Sequence, residues 1–151
     1  MKPTTLNSFR HGVVTREKKI CRDIYGDKME KKKRENIRIV NQNINGLGTS
    51  VETDKRDAIK NFIVKNKIDL FVMSEVNINW KVVAKRNSMG MLAKKWFENS
   101  RAITANNTLY NTKNHHQQGG VAIITAGEMA LRVKHQNKDG RNLGRWCSTL
   151  I

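Results

Sequence analysis

Asn43, Asn45 and Glu75 are the residues whose types and positions point to chemistry. Asn43 and Asn45 close a β-branched segment, while Glu75 closes a strongly apolar one and is the only acidic residue between Asp69 and Glu98. A carboxylate can ligate a hard cation such as Mg²⁺. A carboxylate at the end of an apolar strand is costly without a partner or a cation. Two readings stand side by side: a cation-binding edge, or an exposed Glu that drifts into solvent.

The elements that must position these residues follow from the flanking pattern. The stretch NIRIVNQNI predicts a strand, and Asn45-Gly46-Leu47-Gly48 predicts a tight turn after it. Thr53 suits an N-cap. Asp54 and Asp57 in a first turn, then Ile59, Phe62 and Ile63 at helical spacing, predict a helix of about four turns ending near Asn66. The run IDLFVMSEV alternates Leu70 and Val72 with Phe71 and Met73, so both of its faces are apolar. The first strand is expected to be apolar on both faces as well. If the two strands are parallel neighbours joined by the helix, Asn43, Asn45 and Glu75 emerge at one carboxyl edge, where α/β sheets place their sites.

Farther along, Val83, Met89, Leu92, Trp96 and Phe97 are loosely helical, weakened by Gly90. Residues 106–118 read as polar loop, and GGVAIIT as a strand that Met129 to Val133 continue or pair with. Leu143 to Ile151 read as another strand entered through a turn, and the chain stops inside it. An apolar strand with no polar tail resembles a truncation point.

The chain of 151 residues fits one domain, with 29 Lys and Arg against 13 Asp and Glu, a formal charge of +16. A polyanionic partner is expected. The first 36 residues hold 11 basic and 5 acidic residues, few apolar ones and the run Lys31, Lys32, Lys33, Arg34. Residues 1–35 therefore read as a basic, flexible arm ahead of a compact region 36–151. Lys18 and Lys19 followed by Lys31 to Arg34 have the spacing of a two-part nuclear import signal in a eukaryote; a solvated tail touching phosphates non-specifically is the plainer reading. No apolar run reaches bilayer length and the start lacks a secretory signal, so an intracellular protein with no membrane partner is expected. Cys21 and Cys147 form no ligand cluster and are read as reduced thiols. No stable protein partner is inferable.

Other motifs do not carry function. Gly46 and Gly48 begin a GxGxxG, but Val51 occupies the third position, and no GK[ST] is present. His115 and His116 are adjacent, so in an extended chain they face opposite ways and do not share one ion; they read as polar loop, with nothing fixing them against the Asn43 and Glu75 edge. Trp80, Trp96 and Trp146 read as core ahead of base-stacking platforms.

NQNINGLG followed by IDLFVMSEVN resembles the opening of the endonuclease/exonuclease/phosphatase superfamily, which includes deoxyribonuclease I, abasic-site endonucleases and retrotransposon endonucleases. The first block resembles the Asn-x-Asn/Asp-Gly-Leu motif, which implies a phosphate-contacting catalytic role for Asn43 and a metal-site role for Asn45, in the form closest to retroelement members. The second resembles the Gln-Glu-Thr motif and implies that Glu75 is catalytic and binds Mg²⁺, although Ser74 and Val76 replace the usual neighbours. Gly119-Gly120-Val121-Ala122-Ile123 and Leu143-Gly144-Arg145-Trp146 are similar to two later strands of such proteins.

The family's tyrosine-bearing strand, Asp-x-Asn pair and Ser-Asp-His do not occur in the chain. The resemblance thus implies an α/β fold, specifically a partial four-layer deoxyribonuclease I-like sandwich cut in mid-domain. It implies a fragment of a Mg²⁺-dependent (or Mn²⁺-dependent) phosphodiester hydrolase, retroelement-derived, acting on DNA rather than RNA and inactive alone. The alternative is a catalytically dead nucleic-acid-binding remnant with Lys31, Lys32, Lys33 and Arg34 among its contacts. A phosphatase of the same superfamily is a weaker third reading, because the charge favours nucleic acid over a phosphorylated lipid.

Overall fold

The computed structural model describes residues 29–48, 54–107 and 113–151. Residues 1–28, which carry most of the expected arm, and Thr53, the expected N-cap, lie outside these. The chain opens with β1 (Ile39–Asn43), α1 (Asp54–Lys65) and β2 (Leu70–Ser74), the strand–helix–strand unit expected from the sequence. A short 3₁₀ turn (Lys85–Asn87) leads into α2 (Met89–Trp96), which is followed by β3 (Ser100–Ala105) and β4 (Val121–Ala126). The chain then forms α3 (Glu128–Leu131), β5 (His135–Lys138) and β6 (Cys147–Leu150). The result is a mixed α/β protein.

The four-stranded sheet has the order β1-β2-β4-β3, with β1 and β2 parallel and the remaining pairs antiparallel. Alternation along β2 and β4 sorts their side chains onto two faces. Phe71, Met73, Ala122 and Ile124 join Ile59, Phe62 and Ile63 of α1 and Met89, Leu92 and Ala93 of α2 in the main core. Phe62 meets Phe71 edge-on, ring centroids 6.1 Å apart at 67°, a preferred aromatic geometry. On the opposite face Leu70, Ile123 and Met129 form a smaller cluster with Val72, Ile103 and Cys147, where the β5–β6 hairpin lies over the sheet. Burial there pushes the Cys147 thiol up to about 11, so it stays a protonated, unreactive thiol at neutral pH.

α2 starts at Ser88, whose Oγ accepts from the Met91 N–H at 3.4 Å, and carries Lys94 and Lys95 in its last turn, where the helix dipole favours cations. Gly90 is accommodated inside this helix. α1 ends one residue before Asn66, whose side chain donates to the Phe62 carbonyl at 3.0 Å.

Two expectations are corrected and one element is added. β1 is not apolar on both faces: it is an edge strand whose outward row, Ile39, Asn41 and Asn43, is exposed, with Ile39 at 61%. Met129 to Val133 do not extend or pair with the preceding strand. Gly127, at φ +64, turns the chain out of β4 so that Met129 and Ala130 face inward from α3. β3 had no sequence signal, because SRAITA is short and weakly apolar; its conformation comes from pairing along the whole of β4.

Residues 29–35 lie against the junction of α1 and β2. Met29 packs on the main core, and the Lys32 ammonium pairs with the Asp69 carboxylate. Asp69 also accepts from the Arg38 N–H at 2.6 Å, while the Arg38 guanidinium donates to the carbonyls of Glu30 and Asn66 at 2.6 and 2.5 Å. No helix among the described residues is long and apolar enough to cross a membrane.

Candidate functional site

Parallel pairing sets Asn43 opposite Ser74, so Glu75 is the first residue beyond β2 on the same edge. The ladder then continues past both strands. Ile44 donates to the Ser74 carbonyl at 3.1 Å, Gly46 to Glu75 at 2.6 Å and Leu47 to Val76 at 2.9 Å. The segment carrying Asn45 is thereby strapped to the segment carrying Glu75. On the other side Val76 donates to Gly120 at 3.2 Å and Asn77 to Gly119 at 2.8 Å, and the Asn77 side chain accepts from the Gly119 N–H at 2.7 Å. All three turns are therefore knitted into one surface by backbone.

That surface is conformationally unusual. Asn45 (φ +42), Glu75 (φ +52) and Asn77 (φ +56) are left-handed, as are Gly46, Gly119 and Gly120. A Glu in this region is uncommon and costs about 1–2 kcal/mol against ordinary backbone. It persists because the hydrogen bonds on both sides over-determine it, and residues held in this way cluster at functional sites.

The side chains of Asn43, Asn45 and Glu75 are all exposed. The burial cost that motivated a cation beside Glu75 therefore does not arise, and the strained backbone is what marks the position. Asn43 Oδ1 accepts from the Asn45 N–H at 2.9 Å, an Asx-type turn that leaves the Asn43 amide NH₂ as the outward donor. Two cations of α1 brace the loop: Lys55 Nζ donates to the Asn45 carbonyl at 3.1 Å, and Arg56 to the Gly48 carbonyl at 2.6 Å. Arg56 is 2% exposed, and this burial lowers its pKa, although a guanidinium keeps its proton. Sequence reasoning missed both, because a basic residue in a first helical turn reads as solvated surface.

The backbone of His115 and His116 is fixed more closely to this edge than expected. Asn79 donates to the His115 carbonyl at 2.8 Å, Ile78 bridges to His116, and Gln117 donates to Asn77 at 3.2 Å, so residues 114–117 run along the segment that follows Glu75. Both imidazoles are exposed. No group of three or more His, Cys, Asp and Glu side chains is clustered for a metal among the described residues.

The basic run is not brought to the same edge. Lys32 pairs with Asp69, which precedes β2, whereas Glu75 follows it. A five-residue strand separates the two ends by roughly 17 Å. Lys31, Lys33 and Arg34 are exposed there. Of the tryptophans, Trp80 and Trp96 pack on the main core as expected, but Trp146 is 51% exposed.

Neither a comparison with protein families nor one with curated proteins finds a match for the chain.

Proposed function

We propose that the chain carries the phosphate-contacting and metal-binding edge of a Mg²⁺-dependent phosphodiester hydrolase of the endonuclease/exonuclease/phosphatase type, closest to retroelement endonucleases and acting on DNA, and that by itself it does not cleave. The observation carrying this reading is the β1–α1–β2 unit, in which Asn43, Asn45 and a strained Glu75 share one carboxyl edge. The helix layer, the mixed sheet and a hairpin over its other face are compatible with the start of a deoxyribonuclease I-like four-layer sandwich.

The donors at this edge are oxygens: the Glu75 carboxylate and the Asn45 amide. They suit a hard cation that keeps several waters and is completed by substrate phosphate. Bound there, Mg²⁺ supplies Lewis acidity to the scissile phosphate. Asn43 donates to a phosphate oxygen through the NH₂ that its turn leaves free. Lys55, anchored on the Asn45 carbonyl, adds positive charge for the approaching backbone. In this reading Glu75 is committed to the metal, and the amides and the Lys55 ammonium are not bases, so no group at this edge is left to assist the attacking water, help that is commonly worth about a hundred- to ten-thousand-fold.

A second reading, a nucleic-acid-binding protein without catalysis, is favoured by Glu75 being exposed and the single charged group of the three, so that no second carboxylate among them helps it hold a metal. Mn²⁺ titration of the isotope-labelled chain separates the two. In the hydrolase reading Mn²⁺ with a 5′-phosphorylated oligonucleotide broadens the amide resonances of Asn43, Asn45 and Glu75, and Glu75→Ala abolishes the effect. Plasmid nicking with Mg²⁺ or Mn²⁺ stays at background for the wild type. Unbroadened edge resonances would remove the metal site, and nicking lost in Glu75→Ala would make the chain an active enzyme.

A further inference from the structure

We infer that the groove running from Trp146 along the β5–β6 turn to Trp80 is a track for single-stranded nucleic acid, in which Trp146 stacks on a base while Arg141, Arg145 and Lys138 contact phosphates. This specifies the strand state of the nucleic acid and, in that respect, rests on the function proposed above.

The topology brings the turn to the Glu75 edge. β3 ends at Ala105, which pairs with Val121, and Val121 pairs with Ser74 on its other side. The end of β3 is therefore on the edge where β2 finishes. The β5–β6 turn docks there through a bridge between Asn107 and Leu143 and through Gly144, which lies directly against the Asn106–Asn107 backbone.

The turn is rigid. Asp139 accepts from the N–H groups of Arg141 at 2.9 Å, Leu143 at 3.1 Å and Arg145 at 3.4 Å, and its own N–H donates to the Trp146 carbonyl at 3.0 Å. Its carboxylate is 6% exposed and committed inward, while Lys138, Arg141 and Arg145 are exposed. The outward surface of the turn is thus cationic with a half-exposed indole in it.

Two adjoining clefts follow this surface and share Asp139. One, of about 340 Å³, is lined by Trp146, Arg145 and Arg141; the other, of about 260 Å³, is lined by Lys138, Asn142, Asn106, Lys81 and Trp80. Trp80 and Lys81 directly follow the segment strapped to residues 114–117, so the second cleft borders the stretch of chain that follows Glu75.

The chemistry selects among polyanions. Cations tracking a backbone beside an aromatic platform form the pattern of single-strand binding, and an indole stacks on a base only where a π-face is not already stacked on a neighbouring base, as in a single strand. The concave lining with the exposed amide of Asn142 suits a base edge, while Asn106 donates to Gln117 Oε1 at 3.1 Å. A flat bilayer surface does not enter two recesses.

The test is fluorescence anisotropy of the full chain with labelled oligo(dT) of about ten nucleotides, its duplex counterpart and vesicles of phosphatidylserine and phosphatidylcholine. It is run in EDTA, so a failure here leaves the Mn²⁺ result at Glu75 standing. Oligo(dT) is expected to bind more tightly than duplex. Trp146→Ala weakens binding about tenfold while Trp146→Phe restores most of it, and Arg141→Ala with Arg145→Ala lowers the slope of log affinity against log salt by about 1.4. Thermal melts of each variant exclude loss of folding. Unchanged affinity in the Trp146 and double-arginine variants, with salt-dependent binding intact, overturns the track but keeps the nucleic-acid reading. Binding to vesicles and to neither nucleic acid overturns both.

Discussion

Replacing Gly144 by Ala tests whether the β5–β6 turn sits where the fold places it. Gly144 is buried at φ +69, and a Cβ built on it stands 2.5 Å from Asn106 C and Asn107 N and 2.7 Å from Asn106 Cα. These are backbone atoms held by the Asn107–Leu143 bridge, so no side chain can swing aside to make room. A left-handed Ala costs about 1 kcal/mol or more, and an overpacked methyl adds about 1–3 kcal/mol. The sum, about 2–4 kcal/mol, is a large part of the 5–15 kcal/mol typical of a domain. For a chain of this size it corresponds to a fall in Tm of roughly 5–15 °C. Gly90→Ala is the control: nothing lies within 4 Å of its added Cβ, and it sits inside α2. It is expected to raise stability by about 0.5–1 kcal/mol. Circular dichroism melts and urea titrations measure both. A Gly144→Ala protein melting within a degree of wild type would refute the docking of the turn on β3, and with it the placement of Trp146 and Arg145 at the Glu75 edge.

Asp139 supplies a pH dependence. Burial alone would raise its pKa, but the backbone N–H donors of Arg141, Arg145 and Leu143 and the Arg145 charge bring it below the usual aspartate value. Its contribution is therefore present above the unfolded pKa near 3.9 and is lost as pH falls through the lower folded value; Tm measured from pH 7 down to 2 should show a smaller acid-induced drop in Asp139→Asn than in wild type. The exposed row of edge strand β1 is an association hazard, since Ile37 and Ile39 are 56% and 61% exposed beside unpaired backbone. Ile39→Lys should shift the chain toward monomer in light scattering with its Tm changed by less than about 2 °C, and an unaltered oligomer distribution would show that this edge does not mediate association.

Local pattern was enough for the elements that make their own case. Short continuous apolar runs in IDLFVMS and GGVAIIT, helical spacing of Ile59, Phe62 and Ile63, and the glycine turn after Asn43 all encode structure within a few residues, and β2, β4 and α1 lie where those signals are. The strand–helix–strand order then implied that Asn43, Asn45 and Glu75 share an edge, because a crossover helix between adjacent strands leaves them parallel. Charge was equally legible, being a sum over residue types.

What depended on distant partners was not legible. SRAITA and HQNK are strands because β4 and β6 accept their backbone hydrogen bonds, and neither carries a periodicity of its own. The left-handed backbone of Glu75 arises from straps to Gly46 on one side and, through Val76, to Gly120 on the other. Lys32 and Lys31 are equivalent letters in a basic run, but only Lys32 reaches Asp69. Trp146 reads like the two core tryptophans, and its exposure follows from Asp139 and Gly144 fixing the turn against β3. Residue type and spacing determined which groups this protein offers; tertiary contacts between segments far apart in the chain decided which of them meet, because the bonds that orient them are made by backbone whose partners no local window contains.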